Sequence, residues 1–207
     1  MTRSELKLFL VEAELRKLLC KVYFSHDGFD EYLIPLKSSE RLFLSAFEDE
    51  FMLDGYSISR IKDVEDFVLA PPAFQTILYE EGIINSIETP DIDITDWYSS
   101  FKWLEDQGRY VIAERKTYDE DGFFVIGKVM RVGKTGVYIW HFDANGVWDE
   151  SPTRVMYSEI TNVTFSNRYV EVFAKYIGAP PSDEGFEYKD DIAEPGRVLE
   201  FRPDHSK

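Results

Sequence analysis

The chain carries one strand-like pattern twice, first as Arg41-Leu42-Phe43-Leu44-Ser45-Ala46-Phe47 and again, 95 residues later, as Gly136-Val137-Tyr138-Ile139-Trp140-His141-Phe142. The pattern continues downstream, where Ile61-Lys62-Asp63-Val64 meets Tyr157-Ser158-Glu159-Ile160 at a shift of 96 residues. Recurrence at a nearly fixed spacing is typical of an internal duplication. We therefore predict that the two halves of the chain share one order of elements.

The first half is predicted to be a helix followed by strands. Thr2 and Glu5 have the spacing of a capping box, which marks the start of a helix. Short aromatic and aliphatic runs separated by turn residues then predict four strands, which are Leu19–Phe24, Tyr32–Lys37, Leu42–Phe47 and Tyr56–Ile61. A short apolar stretch, Phe74–Tyr79, follows Pro71-Pro72.

The second half shows the same order. Thr95 or Asp96 is a candidate helix cap, and Gly108 is a natural helix end. Between them, Trp97, Phe101 and Leu104 have helical spacing. Five strand-like runs follow, which are Arg109–Arg115, Phe123–Val132, Val137–Phe142, Arg154–Phe165 and Tyr169–Tyr176.

The fold class predicted from these patterns is mainly β (α+β), with two tandem small antiparallel β-barrels, each preceded by a helix. The predicted organisation is a first module over 1–80, an acidic linker over 81–94, a second module over 95–178 and an acidic C-terminal tail over 179–207. Within the tail, Val198–Phe201 is predicted to pair with a strand edge of the same or a neighbouring molecule, with Phe186 and Tyr188 as earlier apolar anchors.

The element order resembles the Sm-like small barrel of the SH3-like group, and in particular uncharacterised bacterial proteins of this type. The residues that carry the resemblance are Leu53-Asp54-Gly55-Tyr56-Ser57-Ile58 followed by Ile61-Lys62-Asp63-Val64. It covers about residues 4–80 and 95–177. The resemblance implies a strongly bent five-stranded sheet in each half, and it does not transfer a function.

Charge and cysteine content limit the classes of partner. The chain has 39 acidic and 23 basic residues, a net charge of −16, which opposes nonspecific attraction to nucleic acid or anionic lipid. A single cysteine, Cys20, excludes an intramolecular disulfide and suits a reducing compartment. No window approaches the roughly 20 apolar residues of a membrane helix. We therefore expect a cytoplasmic protein with no membrane partner.

Catalytic and cofactor motifs are not recognisable in the sequence. Gly133-Lys134-Thr135 lacks the glycine five positions earlier that a phosphate loop needs, and a strand rather than a helix follows it. The histidines, His26, His141 and His205, are each isolated from a second ligand at metal spacing. We expect no catalytic residues, no metal, no cofactor and no enzymatic activity.

One candidate binding surface combines basic and aromatic residues of the second module, namely Lys128, Arg131, Lys134, Tyr138, Trp140 and Trp148. Such a mixture can hold single-stranded nucleic acid by charge and stacking. The same residues can instead be barrel core with lysines at its rim. The polar loop motif and the Arg-Gly signature of Sm-like RNA binders are both missing, so we expect weak or undetectable RNA binding at physiological salt.

Three functions remain open at this point. The first is a non-enzymatic protein-interaction or adaptor protein, with an unknown and possibly basic partner and with self-association through strand edges possible. The second is single-stranded RNA or other nucleic-acid binding through the second module. The third, which follows from the charge alone, is an immunity-type acidic protein that neutralises a basic partner.

Overall fold

The computed structural model describes residues 2–26, 28, 30–118 and 121–189. Five helices lie in these parts of the chain, namely α1 (Arg3–Arg16), α2 (Pro72–Glu80), α3 (Ile83–Ser86), α4 (Trp97–Asp106) and α5 (Arg168–Tyr176). The strands of the first half are β1 (Cys20–Phe24), β2 (Asp30–Ser38), β3 (Leu42–Asp49), β4 (Met52–Arg60) and β5 (Val64–Leu69). Those of the second half are β6 (Tyr110–Arg115), β7 (Phe123–Val132), β8 (Gly136–His141), β9 (Thr153–Met156) and β10 (Asn162–Phe165).

All ten strands belong to one antiparallel sheet, in the order β5-β1-β2-β3-β4-β10-β6-β7-β8-β9. The mainly β fold with helices is therefore confirmed. The two separate barrels are not confirmed, because the sheet does not close. The edge of β4 pairs instead with β10 of the other half, between Ile58 and Val163 among others. Strand pairing thus joins the halves into a continuous sheet.

The pairing register is the same in both halves. The β2–β3 turn closes through Ser39 N–H donating to Leu42 O, and the β7–β8 turn through Gly133 N–H donating to Gly136 O, a shift of 94 residues. A second pair of equivalent hydrogen bonds lies downstream. Ile61 N–H donates to Arg41 O in the first half and Tyr157 N–H donates to Thr135 O in the second, so the two donors are 96 residues apart. The pattern match at 95 residues was therefore one residue out of register in β3, and the shift of 96 after β4 is confirmed.

The helices occupy corresponding places as well. Buried Leu6, Leu10 and Ala13 of α1 correspond to buried Trp97, Phe101 and Leu104 of α4, each at a shift of 91 residues. The same shift relates Cys20 in β1 to Val111 in β6, since both pair with equivalent residues on either side. Helix α2 corresponds to α5 at a shift of 96 residues. Among the described residues, no helix combines the length and apolar character needed to cross a membrane.

Helix α5 corrects the prediction of a strand at Tyr169–Tyr176. Its β-branched residues alternate as in a strand, but the Asn167 side chain caps a helix by accepting a hydrogen bond from Val170 N–H at 3.1 Å. Val170 and Phe173, three residues apart, pack with Phe142 and Trp148. Packing of this helical stripe outweighs the local strand preference.

Two further element predictions were wrong. The run Arg154–Phe165 is not one strand, because a turn at 157–159 separates β9 from β10. The two parts lie at distant positions in the sheet, β9 at its outer edge and β10 at the junction of the halves. Strand β5 was missed, since its acidic start, Val64-Glu65-Asp66, lacks clear alternation.

The predicted acidic linker is part of the folded core. Ile92 and Ile94 are buried with residues of both halves, including Leu44 and Trp97. The corresponding residues after α5 also pack back, because Phe186 and Tyr188 contact the Tyr138 ring. The predicted pairing of Val198–Phe201 lies outside the described residues.

A buried polar cluster lies at the junction between β4 and β10. Asn162 Oδ1 accepts hydrogen bonds from the hydroxyls of Ser57 at 2.5 Å and Ser59 at 2.9 Å. All three side chains are buried. Because buried polar groups are costly without partners, this cluster fixes one register between the halves.

Candidate functional site

A cleft of about 530 Å³ opens where the two halves meet. We call it the cationic cleft. Both halves line it, with Arg3, Arg41, Leu42, Arg60 and Lys62 from the first and Asp96, Trp97, Tyr98, Lys134, Tyr157 and Ser158 from the second. These residues come from helix starts, turns and strand ends of both halves.

Five basic residues and one acidic residue line the cationic cleft, in a chain whose net charge is −16. Within the described parts of the chain, Arg41, Lys62 and Lys134 have no carboxylate oxygen within ion-pair distance. All three residues are exposed. Their charges are therefore available to an anion from solvent.

Arg60 has a structural role in the same wall. Its Nε donates to Asp63 Oδ2 in a largely buried ion pair, and its Nη1 donates to the backbone oxygen of Ser158 at 3.3 Å. The second contact crosses from the first half to the second. Arg60 thus holds the two sides of the cleft together while its guanidinium contributes positive potential.

The single carboxylate in the cleft is already engaged. Asp96 is the N-cap of α4, and its Oδ1 accepts a hydrogen bond from Ser99 N–H at 2.9 Å. The start of α4 also points the positive end of the helix dipole toward the cleft. Local potential is therefore more positive than the overall charge of the chain implies.

Aromatic rings form the second component of the cleft. Tyr98 is 44% exposed, whereas Trp97 is 7% exposed and rests on Phe101. Tyr157 stacks on Phe101 and donates its hydroxyl to Gly133 O at 2.9 Å. Burial raises the pKa of Tyr157 above its ordinary value, so this phenol remains a neutral donor. Tyr98 is thus the ring free to stack against a ligand.

The lining residues of the cationic cleft supply cations, aromatic rings and one carboxylate. The lining includes no histidine or cysteine, and its carboxylate serves as a helix cap. Elsewhere in the described chain, Cys20 is buried, and burial raises its thiol pKa to about 12, so it is not a reactive thiolate. No group of three or more His, Cys, Asp or Glu residues is placed to hold a metal ion within the described ranges.

The binding surface predicted on the second module is not one surface. Trp140 is 2% exposed and donates its indole N–H to Asp149 O. Trp148 packs on Phe142 and Tyr110. Trp140 is core and Trp148 is half-buried against the core, so neither presents an open ring for stacking.

The remaining members of that predicted surface do not form one open patch. Arg131 lies 5.1 Å from the Tyr188 ring centre, and Tyr138 is covered by Phe186 and Tyr188. Lys128 is half-buried in β7 opposite Trp140. Of the six residues, Lys134 lies in the cationic cleft.

Sequence reasoning missed the other cations because they are far apart in the chain. One signal was available: Arg41 and Lys134 both lie in the turn between the second and third strands of their halves. The cleft brings these two corresponding turns together. The contribution of Arg3 and Tyr98 had no comparable signal, since it depends on how each helix crosses the sheet.

No protein-family model, curated protein sequence or solved structure matches this chain.

Proposed function

We propose that the protein is a non-enzymatic binding protein whose cationic cleft holds a nucleotide, either free or as a unit of a single-stranded nucleic acid. The observation that carries the proposal is the grouping of Arg41, Lys62 and Lys134, without carboxylate partners among the described residues, around the exposed ring of Tyr98. Cations fit a phosphate, and a ring fits a base. The cavity volume lies within the range of small-ligand sites.

The proposal departs from the expectation that nucleic acid is not a partner. That expectation rested on the net charge and on missing loop motifs. Charge acts locally when partners lie within about 10 Å at moderate salt, so a cluster of cations can bind an anion that the rest of the surface repels. Long nucleic acids would meet the acidic remainder of the surface, which favours short ligands.

We also propose that the resemblance to Sm-like proteins reflects common architecture. In support, each half begins with a helix, and its strands have the same neighbours in the sheet. Their order is β5-β1-β2-β3-β4 in the first half and β10-β6-β7-β8-β9 in the second. Here the sheet stays open, since β4 pairs across the junction.

Binding to a labelled single-stranded RNA of a few nucleotides, followed by fluorescence anisotropy, tests the function. If the ligand is a free nucleotide, we expect nucleoside monophosphates to displace the labelled RNA. If the ligand is a single-stranded nucleic acid, we expect the oligonucleotide alone to bind. Three phosphate contacts on a single strand would give a slope of about −2 for log affinity against log salt.

Variants locate the site. Arg41→Ala and Lys62→Ala should each weaken binding several-fold, and Tyr98→Ala should weaken it by about 5-fold or more through lost stacking. Lys175→Ala, which removes an exposed cation from α5, is the matched control and should leave affinity unchanged. Equal affinities for all four variants and the parent, or no binding of either probe at low salt, would contradict the proposal.

A protein-interaction function is the second candidate, because α1 presents an exposed apolar stripe. Leu8, Val11 and Leu15 are 73%, 50% and 81% exposed. At the 91-residue shift, α4 has Ser99, Lys102 and Asp106 in these places, so the stripe is specific to the first half. Replacing Leu8 and Leu15 by glutamate should abolish capture of a protein partner from source-cell lysate while nucleotide binding persists; capture unchanged by the replacement would count against this candidate.

A further inference from the structure

We propose that the free edge of β9 binds the free edge of β5 of a second copy, so that chains assemble head to tail. In the part of the chain that the structure describes, β5 and β9 are the two outermost strands of the sheet, each paired on one side. In the repeat, β9 corresponds to β4 and β5 corresponds to β10. Since β4 and β10 are the strands that join the two halves, the chain contains one example of this contact and the two surfaces needed to form it again.

The internal junction fixes the register of the new contact. Within the chain, Ser57 pairs with Thr164 and Ile58 with Val163. A shift of 96 residues converts β4 positions to β9 positions and β10 positions back to β5 positions. The intermolecular register is then Thr153 opposite Val68 and Arg154 opposite Phe67.

Side chains at these positions are compatible across the edge. Asp66 takes the place of Asn162, and Thr153 takes the place of Ser57, so the buried hydrogen bond of the junction is retained with a carboxylate accepting from the threonine hydroxyl. Arg154 takes the place of Ile58 and lies opposite Phe67, on the other face of the sheet from Asp66 and Thr153. Its stem can cover the outer rim of the buried Phe67 side chain while its charge stays in solvent.

The β5 edge has the chemistry of an interface rather than of a protected edge. Val68 and Leu69 are 45% and 50% exposed on this outer strand. Ala70 N–H donates to Leu19 O of the preceding segment, so by alternation Leu69 directs its backbone groups away from β1. Residues 67–69 carry none of the charge or proline that commonly shields outer strands. The register places Pro152, which has no N–H, opposite Leu69, so the backbone ladder of the new contact lies over Thr153–Met156.

Different surfaces meet in this contact, so it is heterologous. Such a contact does not end at a twofold dimer, and it produces rings or open chains depending on the rotation between copies. Assembly therefore grows with protein concentration.

Sedimentation velocity over a broad range of protein concentration tests the proposal. We expect the full chain to form species larger than one copy, and Leu69→Lys on β5 to return it to a monomer. The matched control is Phe124→Lys, which changes an equally exposed apolar residue on β7, a strand paired on both sides. It should leave assembly unchanged. A full chain that stays monomeric throughout the range would overturn the proposal.

Cross-linking tests the register. The double variant Val68→Cys, Thr153→Cys should form disulfides between copies on mild oxidation, because facing residues of antiparallel strands lie about 5 Å apart at Cα. Each single variant is a control and should give no ladder of cross-linked species. Absence of the ladder in the double variant would overturn the register.

A variant ending at Lys189 identifies a competing occupant. It should assemble as the full chain does. The proposal would also be overturned if this shortened variant assembles while the full chain stays monomeric. The residues after 189 would then occupy the edge in place of a second copy.

Discussion

Gly127 shows how one residue sets the distance between two strands. A Cβ atom built at this position would lie 1.8 Å from the backbone oxygen of Trp140 on β8. No side chain fits that space. Glycine is needed here because of this close approach and not because of its backbone conformation, since φ of Gly127 is not positive. The alternating pattern of β7 shows that a strand exists, but it does not reveal this close approach. A glycine inside a strand is the only available signal.

At the same scale, Glu14 is a half-buried carboxylate on α1 whose contribution to stability should depend on pH. Its Oε1 has no hydrogen-bond partner among the described residues. Burial raises its pKa above 4.5, and a hydrogen bond from Ser38 partly opposes this. A carboxyl whose folded pKa is raised contributes stability that is fully present below the unfolded pKa and lost as pH rises through the folded pKa.

Glu14→Gln should therefore raise the melting temperature at about pH 8, by about 2 °C if the gain is near 1 kcal/mol. The difference should disappear below pH 4.5, where the parent carboxyl is protonated. Glu12→Gln, at an exposed glutamate paired with Arg16, is the control and should show no gain. A Glu14→Gln effect that is constant with pH would contradict this explanation.

At the scale of elements, the sequence predicted those whose pattern agrees with their packing. β7 spans Phe123–Val132 as predicted, and α1 begins with the predicted capping box. α5 could not be predicted in the same way, because its β-branched residues favour a strand and the deciding contacts come from Phe142 and Trp148, far away in sequence. β5 was missed because its edge position relaxes the alternation expected of a buried strand.

The Asn167 cap is decisive for α5. Asn167→Ala should cost about 1 kcal/mol, since Val170 N–H loses the side-chain oxygen that accepts its hydrogen bond. Urea denaturation should show a lower midpoint with an unchanged slope. Asn167→Asp keeps an equivalent cap and should retain stability; a loss as large as that of the alanine variant would show that capping is not the cause.

At the scale of the whole molecule, the cationic cleft depends on how the halves meet. Its residues lie between positions 3 and 158, and their contact requires the β4–β10 pairing. Sequence patterns gave the number and order of most strands, but both halves had exposed edges available. Which edges meet is settled by details such as Ser57 and Ser59 facing Asn162.

Asn162→Ala should therefore destabilise both halves together. The change leaves the hydroxyls of Ser57 and Ser59 buried without their acceptor, which costs about 1–3 kcal/mol. Because the sheet is continuous, we expect calorimetry to show one transition at a lower temperature. Asn145→Ala in an exposed turn is the control. An unchanged melting temperature for Asn162→Ala, or separate transitions for the parent halves, would show that the junction does not couple them.

The β4–β10 pairing also makes the peptide link between the halves dispensable in principle. Glu88 and Thr89 are exposed in that link, whereas Ile92 and Ile94, just beyond, are buried in the core shared by both halves. A chain cut at the exposed residues would keep its junction hydrogen bonds and its core intact. The link then acts by raising the effective concentration of one half near the other, and the protein behaves as a heterodimer whose subunits are encoded as a single chain.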